Sequence, residues 1–228
     1  MKSAVLNFIR WFVEPFGYEV VRPHPAERPW SEDPAFMQLY EDIQPRTVVS
    51  IQRLYMLYQF AKHALSVEGD VAEVGVYKGG TAKLFASVTE ETSKNIHLFD
   101  TFEGMPTAET HTAFGEERSI FTDTSVESVR DYVADARVTF HKGIFPDTAV
   151  GLETERFSLV YLDADLYEST KDGLAFFWPK MTPGGVIVID DYGSKHWFGI
   201  QEAVQEFAAQ SQVSPIRTAP FQCAFIKS

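Results

Sequence analysis

What the chain lacks narrows its function first. It has one cysteine, Cys223, in 228 residues, so no disulfide framework and no thiolate zinc cluster can form within it. That usage fits a reducing, cytoplasmic setting. Positive charge is scarce: 20 Lys and Arg face 32 Asp and Glu, a net charge of −12, which argues against non-specific nucleic-acid binding. No long apolar run is present. The N-terminal apolar segment carries Arg10 and Glu14 and meets Pro15, too short and too polar to span a bilayer, and no secretory signal is read there. Two nucleotide fingerprints are missing as well. Gly-x-Gly-x-x-Gly would need glycine at Tyr77, and no Gly-Lys-Ser/Thr closes a phosphate loop.

With 45% hydrophobic and 14% aromatic residues, the chain can bury a sizeable core. Val5, Phe8, Ile9, Phe12, Val13 and Phe16 have helical spacing, which predicts an amphipathic helix over 4–16. Its expected role is packing, on its own domain or on a second subunit of a homodimer; its polar face is not rich enough in Lys or Arg for a membrane surface. Pro23, Pro25, Pro29 and Pro34 make the next stretch a connector, so residues 1–45 read as an appendage to a domain spanning 46–228. A second helix is predicted at about Thr47–Ser66.

Strand-like runs then alternate with helical ones. The strands are Val71–Val76, Ile96–Asp100, Val138–His141, Phe157–Asp163 and Val186–Asp190, with helices near 79–90, 125–134, 166–180 and 199–210. That order predicts an α/β fold: a doubly wound, mostly parallel sheet with helices on both faces. Pro215–Thr218 and Phe221–Ile226, separated only by Ala219-Pro220, predict a closing antiparallel hairpin.

Parallel strands share a carboxyl edge, where such folds place ligands. Two apolar runs stop there in acid: Leu162-Asp163-Ala164-Asp165 and Ile189-Asp190-Asp191. Carboxylates converging there repel one another unless a cation holds them, which points to a hard ion such as Mg²⁺. Asp165-Leu166-Tyr167-Glu168 also has the spacing of a helix cap with an acid three residues on, and Asp165 is read as that cap. The first strand leads into Glu73-Val74-Gly75-Val76-Tyr77-Lys78-Gly79-Gly80, a turn in which glycines let the backbone approach a ligand. Asp100 ends the second strand 25 residues after Gly75, an interval suited to a carboxylate that takes ribose hydroxyls. Glu73 disfavours a pyrophosphate, so S-adenosylmethionine is preferred over NAD.

These stretches, with Phe99-Asp100-Thr101-Phe102-Glu103-Gly104-Met105-Pro106, Lys142-Gly143-Ile144-Phe145-Pro146-Asp147-Thr148 and Asp163–Thr170, resemble the macrocin O-methyltransferase family from about Arg46 onward. The resemblance implies a seven-stranded, Rossmann-like class I methyltransferase fold using S-adenosylmethionine and Mg²⁺ on hydroxyls of sugars or glycosylated natural products. It implies Asp163, Asp190 and Asp191 as metal ligands. It places Glu73 and Gly75, in the turn that also holds Tyr77 and Gly79, at the methionine side of the cofactor, Asp100 at the ribose, and Gly143, Ile144 and Phe145 near the adenine. Asp163 is the candidate base, with His196 as rival. A lid is expected near 101–123. A catechol-like acceptor, stacking on Phe114 or Phe121, and a non-catalytic cofactor-binding domain are the alternatives.

Overall fold

The computed structural model describes residues 28–105 and 121–228. The predicted helix at 4–16, most of the connector, and the lid segment 106–120 with Phe114 lie outside the described residues. The chain divides into two compact units, residues 1–37 and 38–228. In the first, a 3-10 turn, Pro29–Glu32, precedes Asp33, whose Oδ1 accepts the Phe36 amide at 3.0 Å.

The helices are α1 (Pro34–Ile43), α2 (Ile51–Ala64), α3 (Gly80–Val88), α4 (Val126–Val133), α5 (Tyr167–Phe177) and α6 (Phe198–Ser211). The strands are β1 (Asp70–Val74), β2 (Ile96–Asp100), β3 (Val138–Lys142), β4 (Phe157–Leu162), β5 (Met181–Asp190), β6 (Ile216–Ala219) and β7 (Gln222–Ile226). They form one seven-stranded sheet in the order β3-β2-β1-β4-β5-β7-β6. β1 to β5 pair in parallel; β7 joins β5 and β6 antiparallel, as the hairpin pattern predicts. This is the class I methyltransferase fold. No described helix is long and apolar enough to cross a membrane.

The apolar strands sit where both faces of the sheet are covered. Every residue of β4 is buried, the pattern expected for a central parallel strand. Phe99, Phe145, Phe157 and Phe177 interlock in one core cluster; Phe145 stacks on Phe177 with ring centres 5.5 Å apart. Each such ring is worth about 1.5–3 kcal/mol of burial, so the loop carrying Phe145 is firmly anchored.

Two boundaries differ from the sequence reading by four residues or more. α2 begins at Ile51, not Thr47: the Val49 amide bonds the Thr47 hydroxyl at 3.1 Å, and Ser50 caps with extended backbone. Residues 47–49 are therefore loop. β5 begins at Met181, not Val186. Pro183-Gly184-Gly185 reads as a turn, but Gly184 and Gly185 exchange 2.8 Å backbone bonds with Lys227 beyond β7. The register slip between Phe157 and Leu159 of β4 absorbs the irregularity.

Candidate active site

The sheet order reverses between β1 and β4, and a crevice opens at the carboxyl ends on either side of that point. A cavity of about 310 Å³ lies there. Its wall runs from Ile144 beyond β3, past Asp100 and Gly75, to Asp163, Asp165, Asp190 and Asp191.

The glycine-turn end is shaped by main chain. Gly75 has φ +89°, and a side chain there would run into the Asp163 carbonyl, so only glycine lets β1 and β4 close at this point. Gly79, at φ +84°, caps α3; Gly80 lies against Thr47, where an added Cβ would stand 2.8 Å from the Thr47 Cβ. Asp100 holds the turn. Its Oδ2 accepts the Val76 amide at 2.6 Å and the Tyr77 amide at 3.0 Å, and its Oδ1 accepts the Phe102 amide at 2.7 Å. Tyr77 donates its hydroxyl to Asp123 at 2.9 Å, and its ring meets Phe121 edge-on.

Of the eight residues predicted around the cofactor, Gly75, Tyr77, Asp100, Gly143, Ile144 and Phe145 line this one cavity. Glu73 and Gly79 stand outside the wall. Glu73 belongs to β1 rather than the turn and is fully buried. Thr81, itself in the wall, donates to Glu73 Oε1, while Oε2 has no hydrogen-bond partner. Burial pushes the Glu73 carboxyl well above the usual carboxylate range, and the charges of Asp163 and Asp100 add to it.

At the acidic end, Asp163, Asp165 and Asp191 each bring a carboxylate oxygen within 4.8 Å of the others. Tyr161 donates its hydroxyl to Asp163 Oδ2 at 2.9 Å. Burial, then the Asp191 charge, push the Asp163 carboxyl up to about 7. Burial and the charges of Asp163 and Asp191 push Asp165 well up too.

The predicted cap role of Asp165 does not hold. Leu166 is the capping residue of α5 and makes no side-chain cap. Asp165 takes φ +62°, a left-handed backbone that turns it away from the helix start and leaves its carboxylate with Asp163 and Asp191. Asp190, predicted as a ligand, lies in the wall but has other partners. Arg53 pairs with its Oδ2, and Gln222 Nε2 donates to its Oδ1 at 3.0 Å. His196 is exposed and outside the wall, although the adjacent Trp197 lines it.

Sequence reasoning missed Arg53 altogether, along with Thr47, Val49, Ser169 and Trp197 in the wall. Arg53 reaches Asp190 across 137 residues of sequence, from a helix whose pattern announces only packing.

The residues suit both kinds of ligand expected there. Apolar Val74, Phe99, Ile144 and Phe145 with polar Asp100 and Thr101 make one end fit for a nucleoside. Three carboxylates form an all-oxygen set, which suits Mg²⁺ and not a soft metal. Mg²⁺ binds oxygens at about 2.1 Å, and carboxylate oxygens within 4.8 Å of one another are near enough to converge on one such ion.

Comparison with known proteins finds relatives across most of the chain. The family model described as Macrocin-O-methyltransferase (TylF) matches residues 41–227. The chain is 33% identical over 184 residues to the 8-demethyl-8-(2,3-dimethoxy-alpha-L-rhamnosyl)-tetracenomycin-C 4'-O-methyltransferase of Streptomyces olivaceus, covering 74% of this chain and 69% of that protein. It is 30% identical over 186 residues to the mycinamicin III 3''-O-methyltransferase of Micromonospora griseorubida, covering 74% and 72%. Among solved structures, that of the O-methyltransferase NovP superposes with a TM-score of 0.71 at 26% identity, covering 80% of this chain and 82% of NovP.

Proposed function

This chain belongs to the macrocin-O-methyltransferase (TylF) family of S-adenosylmethionine-dependent O-methyltransferases, and we propose that it methylates a sugar hydroxyl of a glycosylated natural product with Mg²⁺ at the acidic end. The observation that carries this reading is the single cavity joining the glycine turn to the carboxylate group. Donor and acceptor held in one crevice meet in a near-attack arrangement, which is most of what a displacement at a methyl carbon requires.

When bound, S-adenosylmethionine supplies an electrophilic methyl group, and a divalent ion supplies the Lewis acidity that makes a sugar hydroxyl nucleophilic. The chain's own residues do the rest. Gly75, Tyr77 and Asp100 shape the donor end, with Gly143, Ile144 and Phe145 as its far wall. Asp163, Asp165 and Asp191 would hold the ion, with Asp190 of the sequence reading in the same wall. Asp163 accepts the acceptor's proton. It is the residue shared by both ends, its backbone packed against Gly75 and its carboxylate fixed by Tyr161. Arg46–Val49, Ser169 and Trp197 are left to meet the acceptor.

The relatives named above act on a rhamnosyl-bearing tetracenomycin and on mycinamicin III, which favours a glycoside over a free catechol. Formation of S-adenosylhomocysteine across a panel of glycosides, nucleotide sugars and catechols, with Mg²⁺ and with excess chelator, tests the proposal. Turnover of a glycoside that the chelator abolishes is expected. Turnover of catechols alone, or full activity in chelator, would overturn it.

A further inference from the structure

We propose that His97 and His141 are positioning residues of the cofactor site: with one proton added between them, they complete a hydrogen-bond chain from Asp70 to Thr148 that sets the loop carrying Gly143, Ile144 and Phe145. This rests on the cofactor reading given above. His97 lies in β2 and is 7% exposed, and His141 lies in the neighbouring strand β3. His97 Nδ1 and His141 Nε2 are 3.1 Å apart. The His141 ring stacks on Phe99 with centres 4.3 Å apart, and Phe99 meets Phe145 edge-on. With Nε2 engaged, Nδ1 is left for the bond of His141 to the Thr148 main chain, which favours the protonated ring as a carbonyl acceptor does. Thr148 closes the cofactor-side loop. Its amide donates to the Ile144 carbonyl at 3.3 Å, and its Cγ2 would stand 2.8 Å from a Cβ at Gly143. At the other end of the chain, His97 Nε2 is 3.5 Å from Asp70 Oδ2, yet buried without a hydrogen-bond partner.

Counting protons accounts for that orphan atom. Asp70 to His97, His97 to His141 and His141 to Thr148 are three links, and each needs an N–H. Two neutral imidazoles carry only one each. With the two upper links supplied, His97 Nε2 meets the Asp70 carboxylate lone pair to lone pair. One proton at Nε2 turns that contact into an ion pair and fills the chain. The surroundings favour the charge at that end. Burial alone would raise the Asp70 carboxyl, but its bonds to His97 and Asn95 hold it below its ordinary value, so it is an anion. Burial, then the His97 charge, hold the His141 imidazole below its own ordinary value. Lys94 opposes a charge there: it stands near Asp70, its Nζ donating to the Val67 and Gly69 carbonyls. Phe99 and Phe157, the rings packed against the pair, carry no charge. An uncharged pair leaves one link empty and the loop less firmly held. The hold is therefore full at low pH and lost as pH rises through the range where imidazoles titrate.

The test is calorimetric titration of the full chain with S-adenosylhomocysteine at about pH 6 and about pH 8, together with nitrogen NMR of the histidine rings. His141→Phe keeps the stack on Phe99 and drops both bonds, so at about pH 6 it should bind about five-fold more weakly than wild type. At about pH 8 wild type should lose about five-fold in affinity beyond any loss that His141→Phe shows. Both proteins share the buried carboxylates of the cavity, so the difference between their profiles belongs to the histidines. Asp70→Asn sets an amide N–H opposite His97 Nε2 and completes the chain with neutral rings. It should bind at the higher pH as tightly as wild type does at the lower. The wild-type spectrum at about pH 6 should show one ring of the pair protonated on both nitrogens. Matching pH profiles in wild type and His141→Phe, two neutral rings at that pH, or weakened binding by Asp70→Asn at both pH values would overturn the proposal. Wild type that binds no S-adenosylhomocysteine at either pH would refute the cofactor reading itself, and this inference with it.

Discussion

At the glycine-turn end of the cavity the geometry is made by main chain: Gly75 in a left-handed conformation, and three backbone amides gathered on Asp100. At the acidic end it is made by side-chain charge: three converging carboxylates, a fourth held by Arg53, and a tyrosine hydroxyl on Asp163. In the first, the amides of Val76, Tyr77 and Phe102 have their acceptor as the protein stands. The second is electrostatically loaded, with Asp163, Asp165 and Asp190 all pushed above the usual carboxylate range, chiefly by burial. The difference separates two tasks. A donor that arrives with its own reactive methyl needs shape. An acceptor hydroxyl that must be activated needs a field.

The sharpest way to separate the ends is Asp163→Asn. Turnover should fall by at least about 10³-fold, since the variant removes the proposed base together with an ion ligand. Steady-state rates with excess Mg²⁺ measure this, and a loss under ten-fold would remove Asp163 from the chemistry.

Gly75→Ala breaks the comparison from the other side, because Gly75 belongs to one end and packs against the other. A Cβ at φ +89° meets the Asp163 carbonyl, so the variant should lose about 2–4 kcal/mol of stability. S-adenosylhomocysteine and Mn²⁺ affinities should fall together. Thermal melts and calorimetry read both, and an effect confined to one ligand would contradict the shared wall.

The loaded end should also show in pH dependence. The Asp163 carboxyl is raised to about 7 in the folded protein, above its ordinary value, so the native state binds that proton more tightly than the unfolded chain. The resulting stabilisation is full below about 4 and is lost as pH rises to about 7. Without ions, Asp163→Asn should therefore gain on wild type as pH rises from 5 to 7.5, by about 1–2 kcal/mol in unfolding free energy. Saturating Mg²⁺ should reverse the order by stabilising only wild type. A difference independent of pH would show that the carboxylate is not perturbed.

The smallest effect belongs to Tyr77→Phe. The lost bond to Asp123 is exposed, so S-adenosylhomocysteine affinity should change by less than about three-fold. A larger loss would mean that the hydroxyl contacts the cofactor directly.

The sequence carried the glycine-turn end well. Apolar runs place the strand ends to within two residues, a glycine flags the left-handed backbone, and Asp100 closes the second strand, all of which are local signals. Asp165 shows where local signals mislead. Its spacing to Glu168 matches a helix cap, yet the backbone turns left-handed there and α5 starts only at Tyr167. The Pro183-Gly184-Gly185 stretch misleads likewise, because its strand character comes from pairing with residues at the far end of the chain. Arg53 leaves no local trace. On α2 it is one polar residue beside a stripe of Leu54, Leu57, Tyr58, Ala61 and Ala64, and only the tertiary fold brings it to Asp190. Charge networks assembled from distant elements are the part of a site that pattern alone does not reach.

The most direct test of the division between the two ends is a pair of titrations on Asp163→Asn, one with S-adenosylhomocysteine and one with Mn²⁺. Cofactor affinity within about two-fold of wild type, with Mn²⁺ binding weakened at least about ten-fold, is the predicted result. Mn²⁺ binding unchanged, or cofactor binding lost along with the metal, would contradict it.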